Sequence, residues 1–128
     1  MSANCTITMY PGAVHAIKEA AVLAIKQTGE QMLHETISDG VIPFDEGTLQ
    51  NVSTYVETAK ARLGIVQITN NSPYAARLYF HPEYNFQTTT NANARGLWMD
   101  EWLKGNKIKR PVKLYKEFLK YNSGGYVT

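Results

Sequence analysis

The chain has 128 residues, 44% of them hydrophobic and 19% charged, which predicts one globular domain with a core of its own. A single cysteine, Cys5, excludes an internal disulfide and any cysteine-built zinc cluster, and it fits a reducing cytoplasm. The longest apolar-leaning stretch, Ala20 to Ile25, is too short for a bilayer, so no membrane partner is expected. The first residues lack a basic stretch followed by an apolar one, so no secretory leader is expected either.

The net charge of +2 is unevenly placed. Lys104 to Lys120 holds seven Lys/Arg against one Glu, a surplus of +6, which leaves −4 for the remainder. Such polarity suits a molecule that sits between partners of opposite sign, or one that stacks head to tail. The plainer reading is a solvated basic helix.

Residues 1–10 carry the alternating stretch Asn4 to Tyr10, read as an edge strand or an arm. Pro11 suits the first turn of a helix. Val14, Ile17, Ala21, Ala24, Ile25, Met32, Leu33 and Ile37 then recur at helical steps as far as the stop at Ser38-Asp39-Gly40. Gly29 falls inside this helix and leaves room for a kink. Pro43 holds Ile42 extended, and Asp45 is placed to cap a short turn or helix running to Asn51. Two alternating stretches around Gly64 predict an antiparallel hairpin over about 52–69.

Ser72-Pro73 starts a short helix over about 73–80, stopped by His81-Pro82. The polar segment 83–95 lacks apolar periodicity and reads as a mobile loop. Helices over about 96–121 follow. Trp98 and Trp102 share a face of the first. Ile108, Val112, Tyr115, Phe118 and Leu119 form the apolar stripe of the last. Residues 122–128 read as a frayed tail. The fold class is α+β: a long N-terminal helix, a small antiparallel sheet and C-terminal helices.

Few residues point to catalysis. HExxH, GxSxG and the glycine-rich phosphate cradles are absent, so neither a metal nor a cofactor is expected. The acidic pairs Asp45-Glu46 and Asp100-Glu101 are sequence neighbours that diverge on a helix. His81 with Glu83 is the best acid/base couple, weighed against a helix-terminal histidine lying under Tyr79 or Tyr84. Lys107, Lys109, Arg110, Lys113 and Lys116 are candidate DNA-facing residues that would neutralise phosphates without reading sequence. Their interleaved aromatics belong to the core stripe.

One segment stands out. "NSPYAARLYFHPEY" (Asn71 to Tyr84) packs four aromatics, an arginine and a histidine into fourteen residues. Together with "GVIPFDEGTLQNV" (Gly40 to Val52) and "ANARGLWMDEWLKG" (Ala92 to Gly105), it resembles the minor capsid proteins of tailed phages and prophages of Gram-positive bacteria. These are similar to the wider head–tail joining, or tail-completion, family. The matching positions are Pro43, Asp45, Gly47 and Leu49, then Pro73, Tyr74 and Ala75. Glu46 departs from the usual Thr. The likeness spans about residues 12 to 120.

This resemblance implies a structural role and no reaction. The chain would form a ring in the neck of the virion, joining the DNA-filled head to the tail. Its partners would be copies of itself, connector and tail proteins, and packaged DNA by non-specific contact. Ring subunits make heterologous contacts that close by rotation. Arg77, Tyr79, Phe80, His81, Tyr84 and Phe86 are then the interface residues, with Tyr74 and Leu78 turned inward. A tail terminator is the alternative within the same machine. A small basic DNA-binding protein is the alternative of another class.

Overall fold

The computed structural model describes residues 3–43, 54–86, 88 and 91–128. The fold is α+β. Helix α1 (Pro11–Ser38) opens with proline at its first turn, which needs no N–H there. Strands β1 (Thr54–Glu57) and β2 (Gln67–Asn70) pair antiparallel, with Thr54 opposite Asn70 and Val56 opposite Ile68. A 3₁₀ turn at Ala61–Leu63, ended by Gly64, joins them. The short helices α2 (Ala75–Tyr79) and α3 (Asp100–Leu103) come next. Helix α4 (Arg110–Asn122) closes the chain and packs on α1.

α1 and α4 run antiparallel. Arg110, at the start of α4, meets Glu35 near the end of α1, and Asn122 Nδ2 donates to Gln27 Oε1 at 2.6 Å. The buried face of α1 is made of Ala20, Ala24, Thr28, Gly29, Leu33 and Thr36. Periodicity had favoured Ala21, Val14 and Ile17, but the small residues take the seam because they let neighbouring backbones come close. On α4, Leu114 is the buried residue, while Ile108 and Val112 of the expected stripe are exposed. Lysines flank Leu114's neighbours on both sides, which blurred the pattern.

Gly29 does not break α1, which is continuous from Pro11 to Ser38. Its role is contact. A Cβ there would lie 2.9 Å from Val56 Cγ1 and 3.2 Å from Val66 Cγ2, so the glycine admits the hairpin against the helix. Residues 3–10 form no strand, and all are exposed.

The main apolar cluster sits at the C-terminal end of α1. Val41, Ile42 and Trp98 are buried, and Ile37, Leu78, Tyr79 and Met99 pack around them. Thr36 ties this cluster to α1: its hydroxyl donates to Met32 O at 2.8 Å and accepts from Trp102 Nε1 at 3.1 Å.

The latter part of segment 83–95, read as a mobile loop, is pinned to the same place. Arg95 N donates to Val41 O at 3.0 Å, Asn91 Nδ2 to Ile42 O at 2.8 Å, and Asn93 Nδ2 to Asp39 O at 2.9 Å. Asparagine amides here replace the apolar periodicity that would have signalled order.

Candidate functional site

The aromatic segment is held by local hydrogen bonds. Asn70 Oδ1 accepts from Ser72 N at 2.8 Å, and Ser72 Oγ accepts from Tyr74 N at 3.2 Å. These bonds turn the chain out of β2 and into α2. Leu97 N then donates to Tyr79 O at 2.8 Å, which ties the end of α2 to the turn before α3. Gly96 makes that closure possible. A Cβ there would lie 2.9 Å from the Pro82 backbone.

Within this frame the predicted interface residues divide. Tyr79 belongs to the core: its ring meets Trp98 edge-on at 4.8 Å and is half-buried. Burial, reinforced by the Asp100 charge, raises its phenol above the ordinary value. Expected to face a partner, it has its ring against Trp98. Tyr74 moves the other way. Expected to turn inward, it is 66% exposed, because it precedes α2 and Ala75 takes the buried position. Leu78 packs against the core as expected.

The other residues make one surface cluster. Phe80 is 69% exposed and meets Tyr79 edge-on at 5.1 Å. The His81 ring stacks on Tyr84 at 4.7 Å with 8° between planes, and Phe86 lies 6.5 Å beyond Tyr84. His81 Nδ1 is 2.7 Å from Glu83 Oε1. The Glu83 carboxyl lies below its ordinary value, chiefly because of this hydrogen bond with His81. The stacking half of the structural reading of His81 is present, with Tyr84 as the partner. Arg77 Nε donates to Tyr84 Oη at 3.4 Å, and the guanidinium carbon stands 6.0 Å from the ring centre. Arg77 is exposed and has no carboxylate partner among the described residues.

The His81–Glu83 pair lies on this open surface, with both side chains well exposed. Among the described residues no group of three or more His, Cys, Asp or Glu is placed to hold a metal ion. No described helix is long and apolar enough to cross a membrane.

The basic candidates also divide. Lys107 Nζ is 2.7 Å from Asp39 Oδ2 and 3.6 Å from Glu35 Oε1, and lies 4.8 Å from the Trp102 ring centre. Arg110 grips Glu35 with two bonds, Nε to Oε1 at 2.7 Å and the second at 2.9 Å. These two cations, read from sequence as DNA-facing, pair with acids at the end of α1 and hold α4 to it. Lys109, Lys113 and Lys116 are exposed, and with Lys120 they recur at helical steps along one side of α4.

Of the family-motif positions, Pro43 is buried beside Ile42, Pro73 and Tyr74 are exposed, and Ala75 is buried in α2. Asp45, Gly47 and Leu49 lie outside the described residues, as does the turn that Asp45 was read to cap. Sequence reasoning passed over Glu35, Asp39, Thr36 and Asn91. The basic surplus of α4 was the available signal for the two acids, since a partly buried cation requires a counter-charge.

A groove opens beside the cluster, between β2, α2 and α3. Its volume is about 460 Å³, and it is lined by residues that include Ile68, Ala76, Phe80, Met99 and Leu103. None of its described lining residues is charged. Comparison with protein-family profiles, with curated proteins and with solved structures found no match to this chain.

Proposed function

We propose that this chain is a structural virion protein of a long-tailed phage or prophage, made in the bacterial cytoplasm and forming a ring in the neck between head and tail. The observation that carries this reading is a coincidence of place. One of the segments that carry the resemblance, Ser72 to Phe86, also presents exposed Tyr74, Phe80 and Tyr84 beside an exposed Arg77. Aromatics with polar tips next to an arginine are the usual anchors of a protein interface. Their role here is association, not catalysis.

Within such a ring the exposed row Lys109, Lys113 and Lys116 is the side assigned to passing DNA. It carries charge without any means of base readout, which suits a channel that must let every sequence through.

The test is deletion of the gene from its phage and negative-stain imaging of the lysate. The expected result is DNA-filled heads and separate tails of normal length. Overlong or ragged tails would make the protein a terminator. Intact infectious particles would end the proposal. The finer claim uses Tyr84→Ala with Phe86→Ala, expected to leave a folded protein and no joined particles; normal virion yield from this variant would remove the interface assignment.

A further inference from the structure

Two features of the molecule are complementary. The arm before α1 is uncharged from Ala3 to Tyr10 and alternates, with Cys5, Ile7 and Met9 on one side. Ile7 is 86% exposed and Met9 69%. In a chain that is 19% charged, the described residues lining the groove between β2, α2 and α3 are likewise uncharged, and its wall is chiefly apolar. It is wide enough, at about 460 Å³, for two or three side chains.

The arm cannot fill the groove of its own molecule. The groove lies against the C-terminal half of α1: Met99 of its wall touches Thr36, and β1, whose Thr54 lines it, meets Gly29 through Val56. Gly29 is about 27 Å along the helix from Pro11, at 1.5 Å per residue, and Thr36 is farther still. Ile7 precedes Pro11 by four residues, an extended reach of about 14 Å, and Met9 reaches about 7 Å. The apolar side chains therefore fall short by roughly half the distance or more.

We infer that the arm of one copy docks in the groove of a second copy, with Ile7 and Met9 seated against Met99, Leu103 and Ile68. Donor and acceptor lie at opposite ends of α1, so the contact is heterologous and repeats from copy to copy until a rotation closes it. The inference rests on the ring proposal only in requiring that copies meet, and it specifies the link between them. A second hollow of about 420 Å³ lies nearer the arm, beside Val22, but Lys18 and Arg62 line it and the arm brings nothing to pair with them.

The native Cys5 gives a direct test on purified full-length protein. Ala76→Cys places a thiol on the exposed wall of the groove, Val22→Cys places one within the arm's own reach, and Lys60→Cys serves as a remote control. Each variant is oxidised with copper phenanthroline at a concentration where sedimentation detects association. The expected result is a ladder of disulfide-linked oligomers for the Ala76→Cys protein alone, abolished by adding Cys5→Ser. Ile7→Asp with Met9→Asp is expected to weaken association about tenfold or more while circular dichroism and Tm stay unchanged, since the arm is outside the folded core. Three results would overturn the inference: a monomeric disulfide in the Val22→Cys protein with no ladder at residue 76; association without that ladder; or a monomer at every concentration. The second leaves the neck ring standing on some other contact, and gene deletion decides the ring in each case.

Discussion

At the scale of single residues, Thr36 and Gly29 show how much one small side chain decides. Thr36 Oγ1 is the acceptor for the buried Trp102 indole N–H at 3.1 Å. Thr36→Val keeps the shape and strands that N–H, so a loss of about 1–3 kcal/mol is expected in urea denaturation. Thr36→Ser, which keeps the hydroxyl, should retain most of the stability. A stable Thr36→Val with a destabilised Thr36→Ser would mean that the methyl packing matters and the hydrogen bond does not.

Gly29→Ala sets two effects against each other. Alanine in a helix gains about 1 kcal/mol over glycine. Overpacking of a stiff neighbour costs about 1–3 kcal/mol, and the added carbon would meet Val56 Cγ1 at 2.9 Å. Overpacking should win, giving a small net loss that Val56→Ala partly relieves in the double variant. A stabilised single variant would show that the hairpin moves away freely.

Between elements, the α1–α4 clamp carries the main electrostatic prediction. The two hydrogen bonds from Arg110 hold the Glu35 carboxyl below its ordinary 4.5, against a smaller opposing effect of burial. A carboxyl whose pKa is depressed on folding contributes stability that is full above the unfolded value and lost as pH falls through the folded one. Thermal stability should thus decline as pH drops below about 4.5, and Glu35→Gln should flatten part of that decline. At neutral pH the same substitution should cost about 1–2 kcal/mol, a figure kept low because Arg110 is over a third exposed. An unchanged pH profile in the variant would show that the pair adds little beyond its geometry.

For the molecule as a whole, the surplus of +6 in Lys104 to Lys120 reads differently once the fold is known. Part of it is answered internally by Glu35 and Asp39. What remains outward is the row containing Lys109, Lys113 and Lys116. Lys113→Glu with Lys116→Glu should leave stability within about 0.5 kcal/mol, as surface changes usually do. Lys107→Glu, which sets a carboxylate against Asp39 and Glu35, should destabilise by more than that. If DNA binding is measured, the first variant alone should lower affinity and flatten its salt dependence. The reverse pattern would return Lys107 to the nucleic-acid surface.

Some of this was decided by local sequence and some was not. Helix α1, the hairpin and α2 were legible because proline, serine and glycine signals act within a few residues, and because their periodicity is a property of the chain alone. The aromatic cluster was legible as a composition. Which aromatics face out was not: Tyr74 and Tyr79 exchanged places because Trp98, nineteen residues beyond Tyr79, takes the ring that α2 turns inward. Equally, no local pattern assigns Lys107 and Arg110 to Glu35 and Asp39, or the asparagines of 91–93 to the end of α1. Those pairings join residues far apart in the chain, and a cation or amide looks the same in sequence whether its partner is water or a buried carbonyl. Only packing α4 against α1, and the 91–95 segment across the end of α1, settles that choice, because a polar group removed from water must find its partner wherever the fold supplies one.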